Sequence, residues 1–130
     1  MMKYLFLLII VSIATIVNAQ ESNVFLNRDY WKANPSIEEV NKEIENGNSV
    51  SELDRYDFDA VSWAILEDVD NSTIKEMILM DGNGANKITH DGRSYVFWAA
   101  YKNNIELMNF LISKGTDTVS YTHLTLPTKA

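Results

Sequence analysis

The sequence predicts an all-α fold, a solenoid of about three helical repeats truncated at its C-terminal end. Three observations carry that expectation. First, Ile74-Lys75-Glu76-Met77-Ile78-Leu79-Met80-Asp81-Gly82 lies over Leu107-Met108-Asn109-Phe110-Leu111-Ile112-Ser113-Lys114-Gly115, and the step from Gly82 to Gly115 gives a period of 33. A fixed period of this size belongs to a stacked array of supersecondary units. Second, each unit carries helix-start residues before an apolar stripe and a glycine after it. Third, about ten Gly/Asn/Asp-rich residues separate the units and read as projecting turns.

The upstream halves match at a step of 35: Val61 with Val96, Trp63 with Trp98, Ala64 with Ala99. The two extra residues must fall between Trp63 and Ile74, within the polar run Glu67-Asp68-Val69-Asp70-Asn71-Ser72. An irregular first unit ends at Gly47, because the ten-residue step from Gly47 to Asp57 repeats the one from Gly82 to Gly92.

Residues 1–19 read as a secretory signal peptide: Lys3, an apolar run from Tyr4 to Val17, and the small-residue site Val17-Asn18-Ala19 before Gln20. The run is shorter than the ~20 residues a membrane-spanning helix needs. The expectation is an exported chain, periplasmic or extracellular, with no stable membrane span after cleavage. Residues 20–33 are taken as an N-terminal lead-in with a partial capping helix, and 34–118 as the repeats.

In the first unit Ser36-Ile37-Glu38-Glu39 is a capping box and Ile37, Val40 and Ile44 form the stripe. Such a box satisfies two backbone donors at a helix start reciprocally. In the second, Asp59 is the N-cap of the first helix, Thr73 with Glu76 is a box for the next, and Ile74, Met77 and Ile78 face inward. In the third, Ser94 caps a helix from Tyr95 to about Lys102, with Val96, Phe97, Ala99 and Ala100 toward a neighbour. Asn103 with Glu106 then starts a helix carrying Leu107, Phe110, Leu111 and Ile112, and Gly115 supplies the left-handed stop.

The last stretch, Val119-Ser-Tyr-Thr-His-Leu-Thr-Leu-Pro-Thr128, resembles a translated transposase adapter of the kind that survives in short-read assemblies. Residues 119–130 are therefore set aside as a non-native tail, with a C-terminal strand as the alternative that the Thr/Leu/Tyr alternation permits.

Composition excludes several functions. The net charge of −7 becomes one unit more negative without Lys3, which disfavours nucleic acid and anionic lipid as partners. With no cysteine there are no disulfides, thiol nucleophiles or thiolate metal sites. Asp81-Gly82-Asn83-Gly84-Ala85-Asn86 begins like a calcium loop, but Ala85, Asn86 and Gly92 stand where a ligand, a glycine and a bidentate glutamate are needed. Ser72-Thr73-Ile74-Lys75 fits the serine-acylase S-x-x-K pattern without its partner motifs, and Asn71-Ser72-Thr73 matches a glycosylation acceptor by composition alone. His90 and His123 are the chain's only histidines, too few for an ordinary His-rich metal site. Carboxylate pairs such as Glu38/Glu39 and Asp68/Asp70 read as solvated faces. The expectation is a non-enzyme with no metal, no cofactor and no small-molecule substrate.

Helix, short loop, helix and projecting turn at this period resembles the ankyrin repeat from about Asn34 to Thr118. Gly92, Ala99, Ala100, Glu106, Leu107, Leu111, Gly115 and Asp117 fall on the family's marked positions, as do Ala64, Ile74, Ile78, Gly82 and Asn86 in the unit before. Where the family has T-P-L-H, this chain has Ser94-Tyr95-Val96-Phe97 and Asp59-Ala60-Val61-Ser62. The family's buried histidine is absent, so the turns are expected to be held less rigidly. A tetratricopeptide-type array of helical hairpins is the structural alternative.

The resemblance implies a protein-protein interaction module whose contact strip runs along the turn tips and the adjoining face of the first helices. Carried over by position, the strip is Arg55, Tyr56, Phe58, Leu66 and Glu67 in the second unit, and His90, Asp91, Arg93, Tyr101 and Lys102 in the third. Of the aromatic residues, Trp63, Trp98, Phe97 and Phe110 are assigned to packing between units, and Tyr56, Phe58, Tyr95 and Tyr101 to contact anchors. The alternative role is a structural subunit that stacks on its own copies.

Overall fold

A computed structural model describes residues 22–117. The signal segment 1–19 and the tail 119–130 lie outside the described residues. Those that are described form six α-helices and no strand: α1 (Arg28–Lys32), α2 (Ile37–Glu45), α3 (Ala60–Leu66), α4 (Asn71–Ile78), α5 (Tyr95–Tyr101) and α6 (Ile105–Ser113). Short 3₁₀ turns occupy Val24–Leu26 and His90–Gly92.

The helices pack in two rows. α1 lies on α3 and α3 on α5; in the other row α2 lies on α4 and α4 on α6. Cross-contacts of α3 with α4 and of α5 with α6 join the rows. Composition explains the assignment: α3 is Ala-Val-Ser-Trp-Ala-Ile-Leu, with five of its residues buried, while α2 buries Val40 alone and presents a charged face to water. A helix apolar nearly all round belongs between neighbours, whereas one with a single stripe belongs on an outer layer.

Each loop joining the rows is built the same way. Asn34, Asp68 and Asn103 all adopt positive φ, of 53°, 56° and 55°. Asn and Asp tolerate this left-handed region better than other residues with a Cβ, because their short polar side chains can hydrogen-bond locally. After α3 the amide of Val69 donates to the carbonyl of Ala64 at 3.0 Å, and after α5 Asn104 does so to Ala99 at 2.8 Å. Asp68 therefore corresponds to Asn103, and the two additional residues are Val69 and Asp70. Val69 is buried, so the longer loop inserts an apolar anchor.

The projecting turns share a second pattern. Asp54 N donates to Phe58 O at 2.7 Å and Thr89 N to Arg93 O at 2.8 Å, each pair 35 positions from the other. The indole of Trp63 donates to Asp54 Oδ2 at 3.2 Å, and that of Trp98 to Thr89 Oγ1 at 2.8 Å. Each turn is thus tied to its following helix by a tryptophan, a device the sequence reading missed when it expected looser turns.

Long-range ties join residues about one unit apart. Asn71 and Asn104 exchange amide hydrogen bonds of 3.0 and 2.7 Å, Asn83 donates to Val50 O at 3.4 Å, and Asn86 both donates to Gly115 O and accepts from Asp117 N. At the N-terminal end Phe25 and Trp31 are fully buried, the Trp31 indole donating to Phe25 O at 2.9 Å.

Several local expectations are corrected. Asn104, not Asn103, caps α6, accepting from Leu107 N, because Asn103 is spent on the left-handed loop. α4 begins at Asn71 with no side-chain cap, and Thr73 is buried within it, donating to Pro35 O at 3.2 Å. Ser94 occupies the N-cap position of α5 without making the capping bond. Ile112 and Ala100 are exposed rather than packed against a neighbour. The boxes at Ser36–Glu39 and the cap at Asp59 are present, the latter paired with Ser62.

Candidate functional site

Beneath the turns lies a groove of about 480 Å³, walled by the α1, α3, α5 row. Its construction starts with aromatic packing. The Phe58 ring is held between Trp63, at 4.2 Å between centroids and 27° between planes, and His90, at 4.4 Å and 17°. Trp98 continues the cluster at 5.6 Å from Phe58 and meets Phe97 and Tyr101 edge-on. Offset stacked and edge-to-face rings hold one another in fixed orientations.

His90 is fixed twice. Its ring stacks on Phe58, and its Nδ1 lies 2.7 Å from the carbonyl of Tyr56, an arrangement in which Nδ1–H donates. That bond joins the two turns. The opposite ring nitrogen stands 3.9 Å from an Asp91 carboxylate oxygen.

Cations rim the groove. Arg28 pairs with Glu67 and lies 5.1 Å from the Trp63 ring centre; Lys102 pairs with Asp68 at 3.1 Å. Arg93 differs from both. Its guanidinium lies 3.8 Å over the Phe97 ring and makes no salt bridge among the described residues. Stacking on the ring face fixes the guanidinium plane and leaves its edge N–H groups for a planar acceptor.

Of the ten residues expected in a contact strip, Phe58, Leu66, His90, Asp91, Arg93, Tyr101 and Lys102 line this one groove. Glu67 stands behind it as the acid of Arg28. Arg55 and Tyr56 do not join it: at the exposed turn tip Arg55 donates to the Tyr56 hydroxyl at 2.6 Å and covers its ring. Sequence reasoning missed Arg28, whose acid partner is 39 residues away, and it assigned Phe97 and Trp98 wholly to packing although both also face the groove.

Tyr95 is the clearest correction. Assigned to the exposed edge, it is fully buried, and its hydroxyl donates to Asp59 Oδ2 at 2.6 Å. Lys87 Nζ meets the same oxygen at 2.8 Å, and it also donates to Ser51 O and Asn83 Oδ1. This cluster ties residues 51–59 to residues 83–95. Burial, then the adjoining Asp59 charge and hydrogen bond, push the Tyr95 phenol far above its ordinary value. It is a neutral donor throughout the physiological range.

Among the described residues, no helix is long and apolar enough to cross a membrane, and no group of three or more His, Asp or Glu side chains is placed to hold a metal ion. Neither the protein-family models nor the curated proteins compared with this chain give a match.

Proposed function

We propose that this chain is an exported ankyrin-type repeat module, non-enzymatic, that binds another protein through the groove under its turns. The observation that carries the reading is the convergence of residues from four separated segments, α1, the 54–58 turn, α3 and the 89–102 stretch, on one concave surface rich in aromatic and cationic side chains. The helix rows and the ties at near-constant sequence separation support the array. The character of residues 1–19 supports export, which N-terminal sequencing of the secreted product checks by a start at Gln20.

The groove's aromatic and arginine side chains are of the kinds that concentrate binding energy in protein interfaces. A fold-preserving Arg93→Ala/Tyr101→Ala double variant is expected to lose partners captured by the parent protein, while Glu76→Gln on α4, outside the groove, keeps them. Unchanged capture by the double variant would overturn the assignment.

A second reading, self-association as a structural subunit, rests on one specific contrast. Ile65 and Met77 are buried, yet the residues one unit later, Ala100 and Phe110, are exposed and half-buried. A face of that kind accepts another helical pair. Sedimentation across a concentration series separates the readings: a monomer favours the binding module, and a concentration-dependent oligomer the structural subunit.

A further inference from the structure

The groove gathers cations on a protein that is acidic overall. On a protein of net charge −7, its lining holds Arg28, Arg93 and Lys102 against the single carboxylate of Asp91. Two of those cations already have acids, Glu67 and Asp68. Arg93, lying over Phe97, has none among the described residues, and Trp98, Tyr101 and Leu66 line the same groove. Tyr101 is 70% exposed, a large ring left uncovered beside an uncommitted guanidinium.

We infer that the groove takes an acidic, extended peptide segment of a partner protein, a side-chain carboxylate being forked by Arg93 while a neighbouring apolar side chain lies on Trp98 and Tyr101. This rests on the protein-binding reading of the groove and names the partner's chemistry. Three features favour it over a basic or neutral segment. A carboxylate matches the planar fork of arginine bidentately, which an ammonium point charge cannot do. A basic segment would meet like charge at Arg93, the one cation of the lining without a salt bridge among the described residues. The net negative charge of the protein disfavours an acidic partner in general, so the unpaired Arg93 sets the binding position as well as the ligand. The volume of about 480 Å³ lies within the range of about 300–1,000 Å³ typical of ligand clefts, and it suits a short run of side chains rather than a folded domain.

The test uses a labelled synthetic peptide of alternating glutamate and leucine, with glutamine–leucine and lysine–leucine counterparts, followed by fluorescence anisotropy on the full chain at low and moderate salt. The glutamate peptide is expected to bind about tenfold or more tightly than either counterpart and to weaken as salt rises. Arg93→Gln should remove that preference, and Arg93→Lys should restore only part of it, since charge returns without the fork. Equal binding of the glutamate and glutamine peptides overturns the acidic preference but leaves the groove as a contact surface. Absence of binding by all three to about 1 mM overturns it as well, and the alanine double variant then decides the groove reading separately. Self-association abolished by Arg93→Gln would identify a second copy as occupant and likewise overturn the proposal.

Discussion

Tyr95 and Asp59, 36 positions apart, meet through a 2.6 Å hydrogen bond in which both side chains are completely buried. The carboxylate is satisfied on both oxygens: Oδ1 accepts from the backbone and hydroxyl of Ser62, and Oδ2 accepts from Tyr95 and Lys87. A buried ion costs several kcal/mol in lost hydration unless such partners surround it. The two replacements therefore differ in consequence. Tyr95→Phe removes one donor and should cost about 1–3 kcal/mol. Lys87→Met leaves the charge without its cation and should cost about 3–5 kcal/mol. Urea midpoints at constant m-value measure both, and a smaller loss for Lys87→Met than for Tyr95→Phe would show that the cation does not neutralise this site.

Glycine is required at position 82 for two separate reasons. Its φ is +83°, and a Cβ there would stand 2.7 Å from Ser51 Cβ. At Gly115, φ is +92° and a Cβ would meet nothing within 4 Å. Gly115→Ala should thus cost only backbone strain, about 1–2 kcal/mol, whereas Gly82→Ala adds an overlap of about 1–3 kcal/mol. Ser51→Gly should recover the added part in a double-mutant cycle. Equal losses at the two glycines, with no coupling to Ser51, would refute the contact.

The hydroxyl of Tyr30 is buried with no hydrogen-bond partner among the described residues. Burial, with the nearby charges of Glu43 and Glu39, pushes its phenol up from 10.0 to about 12. The sign follows from linkage: a group whose folded value is raised contributes stability in full below the unfolded value and loses it as pH climbs through the folded one. Stability should fall between about pH 10 and pH 12, with Tyr95 steepening the loss. At neutral pH Tyr30→Phe is expected to be neutral or stabilising by up to about 1 kcal/mol, since no bond is lost. The same variant should flatten the alkaline limb, as thermal melts across pH would record; a destabilised neutral protein would mean the hydroxyl has a partner after all.

What could be read from the sequence divides by range. The Ser36 box and the Asp59 cap depend on neighbours three positions away, and both are present. The matches at 35 that brought Trp63 under Trp98 also hold geometrically, each indole reaching the start of its own turn. Local rules failed where a nonlocal tie competed. Thr73 has the residues of a cap at hand, but Pro35 O gives its hydroxyl a buried partner inside the helix. Asn103 and Asn104 are chemically alike, and only the left-handed φ of the first passes the capping duty to the second.

The groove shows the same division. Most of its lining was legible because turn tips and helix edges keep their positions within a unit. Tyr95 was not, since an aromatic hydroxyl beside a turn suits a surface equally well until Asp59 supplies an acceptor from the preceding unit. Arg28 was hidden for a similar reason, lying before the recognisable period with its partner inside the second unit.

The ties that join one segment to the next, from Val24–Asn48 at 24 positions to Arg28–Glu67 at 39, close loops of similar size. Because closure entropy rises only slowly with loop length, each junction asks nearly the same entropy of the chain. On the proposed repeat reading, order can nucleate at any helical pair and spread outward in either direction, without first capturing distant ends. A chain wired this way loses structure by fraying from its terminal pairs, so amide exchange should be slowest in α3 and α4 and fastest toward α1 and α6.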